Sequence, residues 1–378
     1  MLNNTRTISE IAPTGSNSFG VVRLLAASLV VFSHATAIVY GDAVKEPLAE
    51  LTGHTLGWHS VNMFFCLSGL LIMASMERTS STLQFLWARF LRLYPAIIAL
   101  VFFMFGIGAM MSSEPFSVFT FVDFSARILL LFGDSATLPG VFANNPISDT
   151  INSPLWTLRF EVFCYLFLAL SFTVFAAIKK RVPAFITFKT FSLSVMVICV
   201  VHMNFFYDEK TATIDAHMAR FVFAFFIGAW VWQWREVLRP SLKGLLILGA
   251  LNLVLLLVGI HYAPIQIVMA SYLALYIGSL NLGALARFTD RQDYSYGVYI
   301  TGFPIQQIIY VLLPEASPVI NFAIAMLIAL PISALFWNMI EKPALKLKAI
   351  RIDGVIGLLF SDKQKSLTSR LKTQQSRY

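Results

Sequence analysis

Runs of about twenty mostly apolar residues recur ten times along this chain, and no other feature restricts its fold so tightly. They lie near 19–40, 60–76, 91–111, 155–178, 188–207, 217–234, 242–260, 264–286, 294–313 and 318–340. A bilayer-crossing helix needs about 20 such residues and a barrel strand about 10 alternating ones, so run length selects helices. Composition agrees: of 378 residues, 57% are hydrophobic and 13% charged, and the mean hydropathy is +0.73. Soluble domains carry roughly 25% charged residues, so this chain has too little polar surface to clothe a water-soluble particle. Soluble globular, disordered and collagen-like classes are excluded. The expectation is an all-α polytopic membrane protein of about ten transmembrane helices.

Charge sets the sidedness, because cytoplasmic connections carry excess Lys and Arg. With the N-terminus inside, the outward connections hold Lys45, Arg127 and Lys210 against eleven acids, among them Asp42, Glu46, Asp134, Asp149, Asp208, Glu209 and Glu315. The inward ones hold Arg78, Arg89, Arg92, Lys179, Lys180, Arg181, Lys189, Arg235, Arg239, Lys243, Arg287 and Arg291, and the chain after Glu341 adds nine bases against two acids. Both termini are therefore expected in the cytoplasm. The division reads as a short tail (1–18), one membrane domain (19–343) and a basic tail (344–378). That tail suits water or lipid headgroups, and no nucleic-acid partner is expected. Phe119–Phe132 is short and carries Asp123 and Arg127 one turn apart, as an interfacial or re-entrant piece would. Arg23, the run from Leu24 and Ala35-Thr36-Ala37 mimic a cleaved secretion signal, but the run continues to Tyr40, long enough to span. Cys66, Cys164 and Cys199 all sit in apolar runs with neither disulfide nor metal-ligand spacing, so no metal is expected.

Ionisable residues inside a membrane are costly and mark function. Arg23 and His34 lie eleven apart on the first helix, three turns plus about 20°, hence on one face and about 16 Å apart. Arg23 either snorkels to headgroups or faces inward with His34. Ser153-Pro154 reads as a helix start, and Glu161 then falls about 10 Å below the outer boundary, the depth that the same arithmetic assigns to His34. A histidine and a carboxylate at one level suit a general base and its orienting partner. Arg89 and Arg92 share one face at the inner mouth of the third helix, either as phosphate grips or as positive anchors. Ser68-Gly69 reads as a close-packing pair and lacks a nucleophile elbow. His54 and His59 read as exposed outer-loop residues.

Several motifs then agree in order: Arg23-x10-His34, Phe64-Phe65-x-x-Ser68-Gly69, Arg89-Phe90-Leu91-Arg92-Leu93-Tyr94-Pro95, Pro154-Leu155-Trp156-Thr157-Leu158-x-x-Glu161-x-x-x-Tyr165, Ser295-Tyr296-Gly297-Val298-Tyr299-Ile300 and Glu341-Lys342-Pro343. The set resembles the acyltransferase-3 family of integral membrane acyltransferases, over about 23–343. The resemblance implies transfer of an acyl group, usually acetyl from cytosolic acetyl-CoA, to a hydroxyl of a surface glycan or lipid-linked saccharide, in the cytoplasmic membrane of a bacterium. It makes His34 the catalytic histidine with Arg23 its motif partner, Arg89 and Arg92 donor-phosphate contacts, Glu161 an acceptor-side element, and Trp156 and Ser68 candidate substrate contacts. Many members carry a histidine two residues before the proline of the ninth helix, where this chain has Gly302, and some carry a fused esterase-like domain with no counterpart in it. The expected mechanism has coenzyme A docked among inward arginines and His34 acting as base, with Glu161 holding its tautomer; an acetyl-histidine is the chemical alternative. The competing class is a secondary transporter with a His/Glu/Arg proton relay, against which stands the absence of an inverted repeat.

Overall fold

The computed structural model describes residues 6–11, 17–42, 45–79, 81–131, 136–181, 183, 185–206 and 214–352. The basic tail from 353 onward and the acids Asp134, Asp208 and Glu209 lie outside them. After the turn α1 (Ile8–Ile11), α2 (Phe19–Tyr40) is followed by α3 (Pro47–Thr52), α4 (Leu56–Arg78) and the long α5 (Thr82–Met111). A surface excursion holds α6 (Val118–Leu129) and a two-stranded pair, β1 (Ala136–Thr137) against β2 (Thr150–Asn152). The second half comprises α7 (Leu158–Ile178), α8 (Phe188–Phe205), α9 (Ile214–Gln233), α10 (Leu242–Leu257), α11 (Ala263–Ser279), α12 (Ala284–Arg291), α13 (Ser295–Leu312), α14 (Pro318–Phe336) and α15 (Lys342–Lys346).

Each of the ten apolar runs contains a helix, which establishes an all-α polytopic membrane protein seated in a lipid bilayer. The span count is lower than expected. Among the described residues, seven helices are long and apolar enough to cross unaided, or eight if α11 and α12, bent by 105°, form one broken span. Two further helices fall short for different reasons. At 16 residues α10 is too short, and none of its residues is buried. Length suffices in α13, but it carries Thr301, Gln306 and Gln307, all fully buried. Polar groups are tolerated there because neighbouring helices, not lipid, surround them. Gln306 donates to the Val31 carbonyl of α2 at 2.8 Å, and Asn321 of α14 donates to the Gln306 carbonyl at 3.1 Å.

The centre is built by close backbone contact, the usual device where lipid removes any hydrophobic drive between helices. A Cβ on Gly69 of α4 would lie 1.8 Å from the Phe225 carbonyl oxygen of α9, and one on Gly228 would lie 1.8 Å from the Cys66 carbonyl oxygen. The Ser68-Gly69 pair therefore divides its labour: Gly69 admits α9, which leaves Ser68 pointing elsewhere. The segment around α6 is a surface piece as expected, with Arg127 and Asp123 paired at 3.0 Å on its exposed side. It leads to a hairpin pinned onto α13, where Asn152 donates to the Ile300 carbonyl at 2.7 Å and Gln307 to the Ile147 and Thr150 carbonyls at 2.7 and 3.0 Å.

Candidate active site

Beneath that hairpin, α2, α4, α5, α7 and α13 enclose a cavity of about 460 Å³. This is within the usual size of small-molecule sites. It brings together five of the residues singled out in the sequence: Arg23, Ser68, Arg89, Arg92 and Glu161. His34 and Trp156 are not among its lining residues.

One end of the cavity is basic, and its charges form a buried chain. Arg23 and Arg92 both bind Asp293, at 3.1 and 2.5 Å, and Arg92 also binds Glu341 at 3.0 Å. Asp293 stands in the connection between α12 and α13, where Ser295 donates to its other oxygen at 2.6 Å. Burial pushes that carboxyl up, but Arg23 and Arg92 outweigh it and hold it at about 2. Arg92 is thus committed to structure, braced also between the Tyr296 and Trp337 rings. Arg89, one turn away, has no carboxylate partner among the described residues. Its guanidinium donates to Ser75 at 3.4 Å and lies 5.7 Å from the Phe85 ring, and its buried Nε has no acceptor among the described residues. The two arginines that the sequence groups together therefore differ in what they can offer a ligand.

Deeper in, Glu161 accepts hydrogen bonds from Tyr165, one turn along α7, and from Ser68 across on α4 at 3.5 Å; Ser68 and Tyr165 are themselves 3.3 Å apart. No hydrogen bond joins Glu161 to His34. The half-buried His34 imidazole instead meets the Phe303 ring edge-on, 5.3 Å between centroids. Two helices fix its level. Tyr299 of α13 lines the cavity and Phe303 is the next turn outward; Val61 of α4 lines it and Gly57, packed on Ser33 beside His34, is the next turn outward. His34 stands one helical turn beyond the cavity's outer end. The position where many acyltransferase-3 members carry a second histidine is occupied by close packing, since a Cβ on Gly302 would lie 2.5 Å from Val31.

The start of the fourth apolar run departs from expectation. Ser153 does not cap α7; it opens a 3-10 turn, Ser153–Thr157, that precedes it. Tyr299 supplies the reason, because its hydroxyl pairs with Thr157 Oγ1 at 2.6 Å and donates to the Pro154 carbonyl at 3.0 Å, pulling the turn tight against α13. Trp156 consequently faces away from the cavity, into rings of His217, Phe221 and Phe160. Arg220 links this cluster to Trp58, lying 5.1 Å from that ring and 4.2 Å from Phe221. His54 is buried rather than exposed: it stacks on Trp58 with ring centroids 3.9 Å apart, and burial with the nearby cations pushes its imidazole down to about 3. His59 is bonded to Thr52 at 3.2 Å. Asp293, Arg220 and Trp58 escaped the sequence reading, since each gains its meaning from partners far away in the chain.

An O-acetyl transferase of Shigella phage Sf6 is 29% identical over 340 residues, covering 86% of this chain and 95% of its own. No solved structure matches the chain. Residues 16–338 match the acyltransferase-domain profile of acyltransferase family 3, and with nearly every span and all of the cavity lining except Leu345 and Lys348 inside that match, the chain belongs to this family of membrane acyltransferases.

Proposed function

We propose that the protein is an O-acetyltransferase that moves acetyl from cytosolic acetyl-CoA to a hydroxyl of a cell-surface glycan or lipid-linked saccharide, in the cytoplasmic membrane of a bacterium and with both termini in the cytoplasm. The observation that carries this reading is the cavity itself, which runs from Arg89, a cation with no carboxylate partner among the described residues, to within one helical turn of His34. A donor with a polyanionic head and a long neutral arm matches that shape: its phosphates stay with the arginine while its thioester reaches outward. His34 takes the proton from the acceptor hydroxyl as that oxygen bonds to the thioester carbonyl carbon; the C–S bond breaks and coenzyme A leaves as the thiol after protonation. Glu161, with Tyr165 and Ser68, lines the passage along which the arm travels, and Arg23 keeps Asp293 in place. That the phage relative is an O-acetyl transferase supports acetyl as the group moved.

The test uses protein purified in detergent, acetyl-CoA and a lipid-linked saccharide extracted from the host. Release of free thiol together with a saccharide heavier by one acetyl group is the expected result. Unchanged saccharide without donor consumption would sink the reading and return the transporter to contention.

A further inference from the structure

Beyond α14 the chain makes a π-helical turn, Trp337–Glu341, and then α15 and the 3-10 turn Leu347–Ala349. Such π turns recur at functional sites. Here the turn delivers Glu341 to Arg92 and sends the following strap across the start of α5. The strap is firmly tied. Gln84 donates to the carbonyls of Lys348 and Ile350 at 2.9 and 3.1 Å and accepts from the Ile352 amide at 3.2 Å, while Trp87 donates to the Leu347 carbonyl at 3.2 Å.

Three lysines ride on this strap. Lys342 and Lys346 are exposed, whereas Lys348 is half-buried and lines the cavity with Arg89. Neither Lys348 nor Arg89 forms an ion pair among the described residues, although Arg23 and Arg92 nearby are both paired with carboxylates. Two cations in one cavity repel each other and have surrendered part of their hydration, and an entering anion relieves both costs. We infer that Lys348 is a donor-binding residue, which together with Arg89 holds the diphosphate end of a coenzyme A thioester, and that Gln84 is a positioning residue for the strap that carries it. This rests on the donor named above. All formal charge of such a donor lies in its nucleotide end, so cations grouped at one end of the cavity also decide which end enters first. Lysine suits the task as a mobile point charge beside the planar arginine fork.

Kinetics with two donors test the assignment: acetyl-CoA, and S-acetyl-pantetheine, which has the arm and thioester but no phosphate. In Lys348→Gln the KM for acetyl-CoA should rise roughly tenfold with kcat nearly unchanged, and the KM for S-acetyl-pantetheine should not move. Lys348→Arg should restore most of the loss, Gln84→Ala should shift the same KM less, and Lys346→Gln should shift nothing. In the wild-type protein coenzyme A, but not pantetheine, should protect Lys348 from an amine-acetylating reagent, a readout independent of whether any variant folds. Equal KM increases for both donors, an unchanged KM, or labelling of Lys348 unaffected by coenzyme A would overturn the assignment. A wild-type protein that uses neither donor fails the donor reading itself, before any variant is made.

Discussion

At the basic end of the bundle, α2, α5, the α12–α13 connection and the π turn after α14 meet through full charges, Arg23 and Arg92 sharing Asp293 while Arg92 also holds Glu341. At the opposite end the hairpin and the 3-10 turn meet α13 through neutral amides and hydroxyls, Asn152 and Gln307 to backbone carbonyls and Tyr299 to Thr157. The contrast teaches that one bundle closes its two ends by different means, and on the proposed function it separates donor entry at the charged mouth from acyl transfer at the neutral one. Paired charges fix the geometry of the first mouth and leave Arg89 and Lys348 for a ligand. At the second, neutral groups satisfy the hairpin and the 3-10 turn, and His34 stands against the Phe303 ring. Breaking each end should therefore give a different phenotype.

The largest effect should come from His34 at the neutral end. His34→Ala should cost about 10² to 10⁴ in transfer rate while donor KM and thermal stability in detergent stay close to wild type. Glu161→Gln should cost less. Because Glu161 is bonded to Tyr165 and Ser68 and not to His34, the two losses should multiply in the double variant rather than saturate. A double variant no slower than His34→Ala would show that they act as one unit.

Stability should separate the two ends next. Arg92→Ala strands Glu341 in a buried site and leaves Asp293 with Arg23 alone, which costs about 3 to 5 kcal/mol, whereas Asn152→Ala at the neutral end removes the buried hydrogen bonds to the Ile300 carbonyl and the Met104 sulfur and leaves that carbonyl without the Asn152 donor, a loss worth about 1 to 3 kcal/mol. Arg89→Ala should leave the melting temperature nearly untouched and raise the donor KM instead. If Arg92→Ala melted like wild type, the charged chain would not be what holds the basic end.

The smallest effect concerns acid. With its imidazole at about 3, His54 stays neutral in the folded protein while the unfolded chain takes up a proton below the ordinary value of about 6.5. A lowered histidine pKa means stability falls as pH drops, here from about 6.5 towards 3, by roughly 1.4 kcal/mol for each pH unit within that window. Asp293 has the same sign in a lower window, keeping its contribution until pH falls from its ordinary value of 3.8 towards about 2. Melting curves between pH 7 and about 5 should show the loss, and His54→Gln should flatten it. An equal slope in that variant would mean that other groups set the acid sensitivity.

Much of the fold was legible because a spanning helix satisfies its own backbone: run length and apolarity alone located all ten helical segments. What run length misjudged was α13, whose glutamines lower its hydropathy yet point into protein. The candidate residues were legible as types, since Arg, Glu and His are rare in apolar runs. Their pairing was not, as the Arg92 partners lie 201 and 249 residues away along the chain. Ser153 misled because local capping preference was overruled by Tyr299, a partner 145 residues from Pro154.

By itself, then, the sequence determined that this is a helical membrane protein and singled out a few intramembrane ionisable residues as candidates for its chemistry, because both follow from short-range periodicity and from the cost of charge in lipid. Only the tertiary structure decided which of them share a cavity. Gly69 against Phe225 and Gly302 against Val31 set the distances between helices to within a side chain's breadth, and those contacts, being long-range and steric, are what turned Ser68 inward and placed His34 a turn beyond the cavity, while ion pairs with Asp293 and Glu341, equally distant in the chain, divided Arg92 from Arg89.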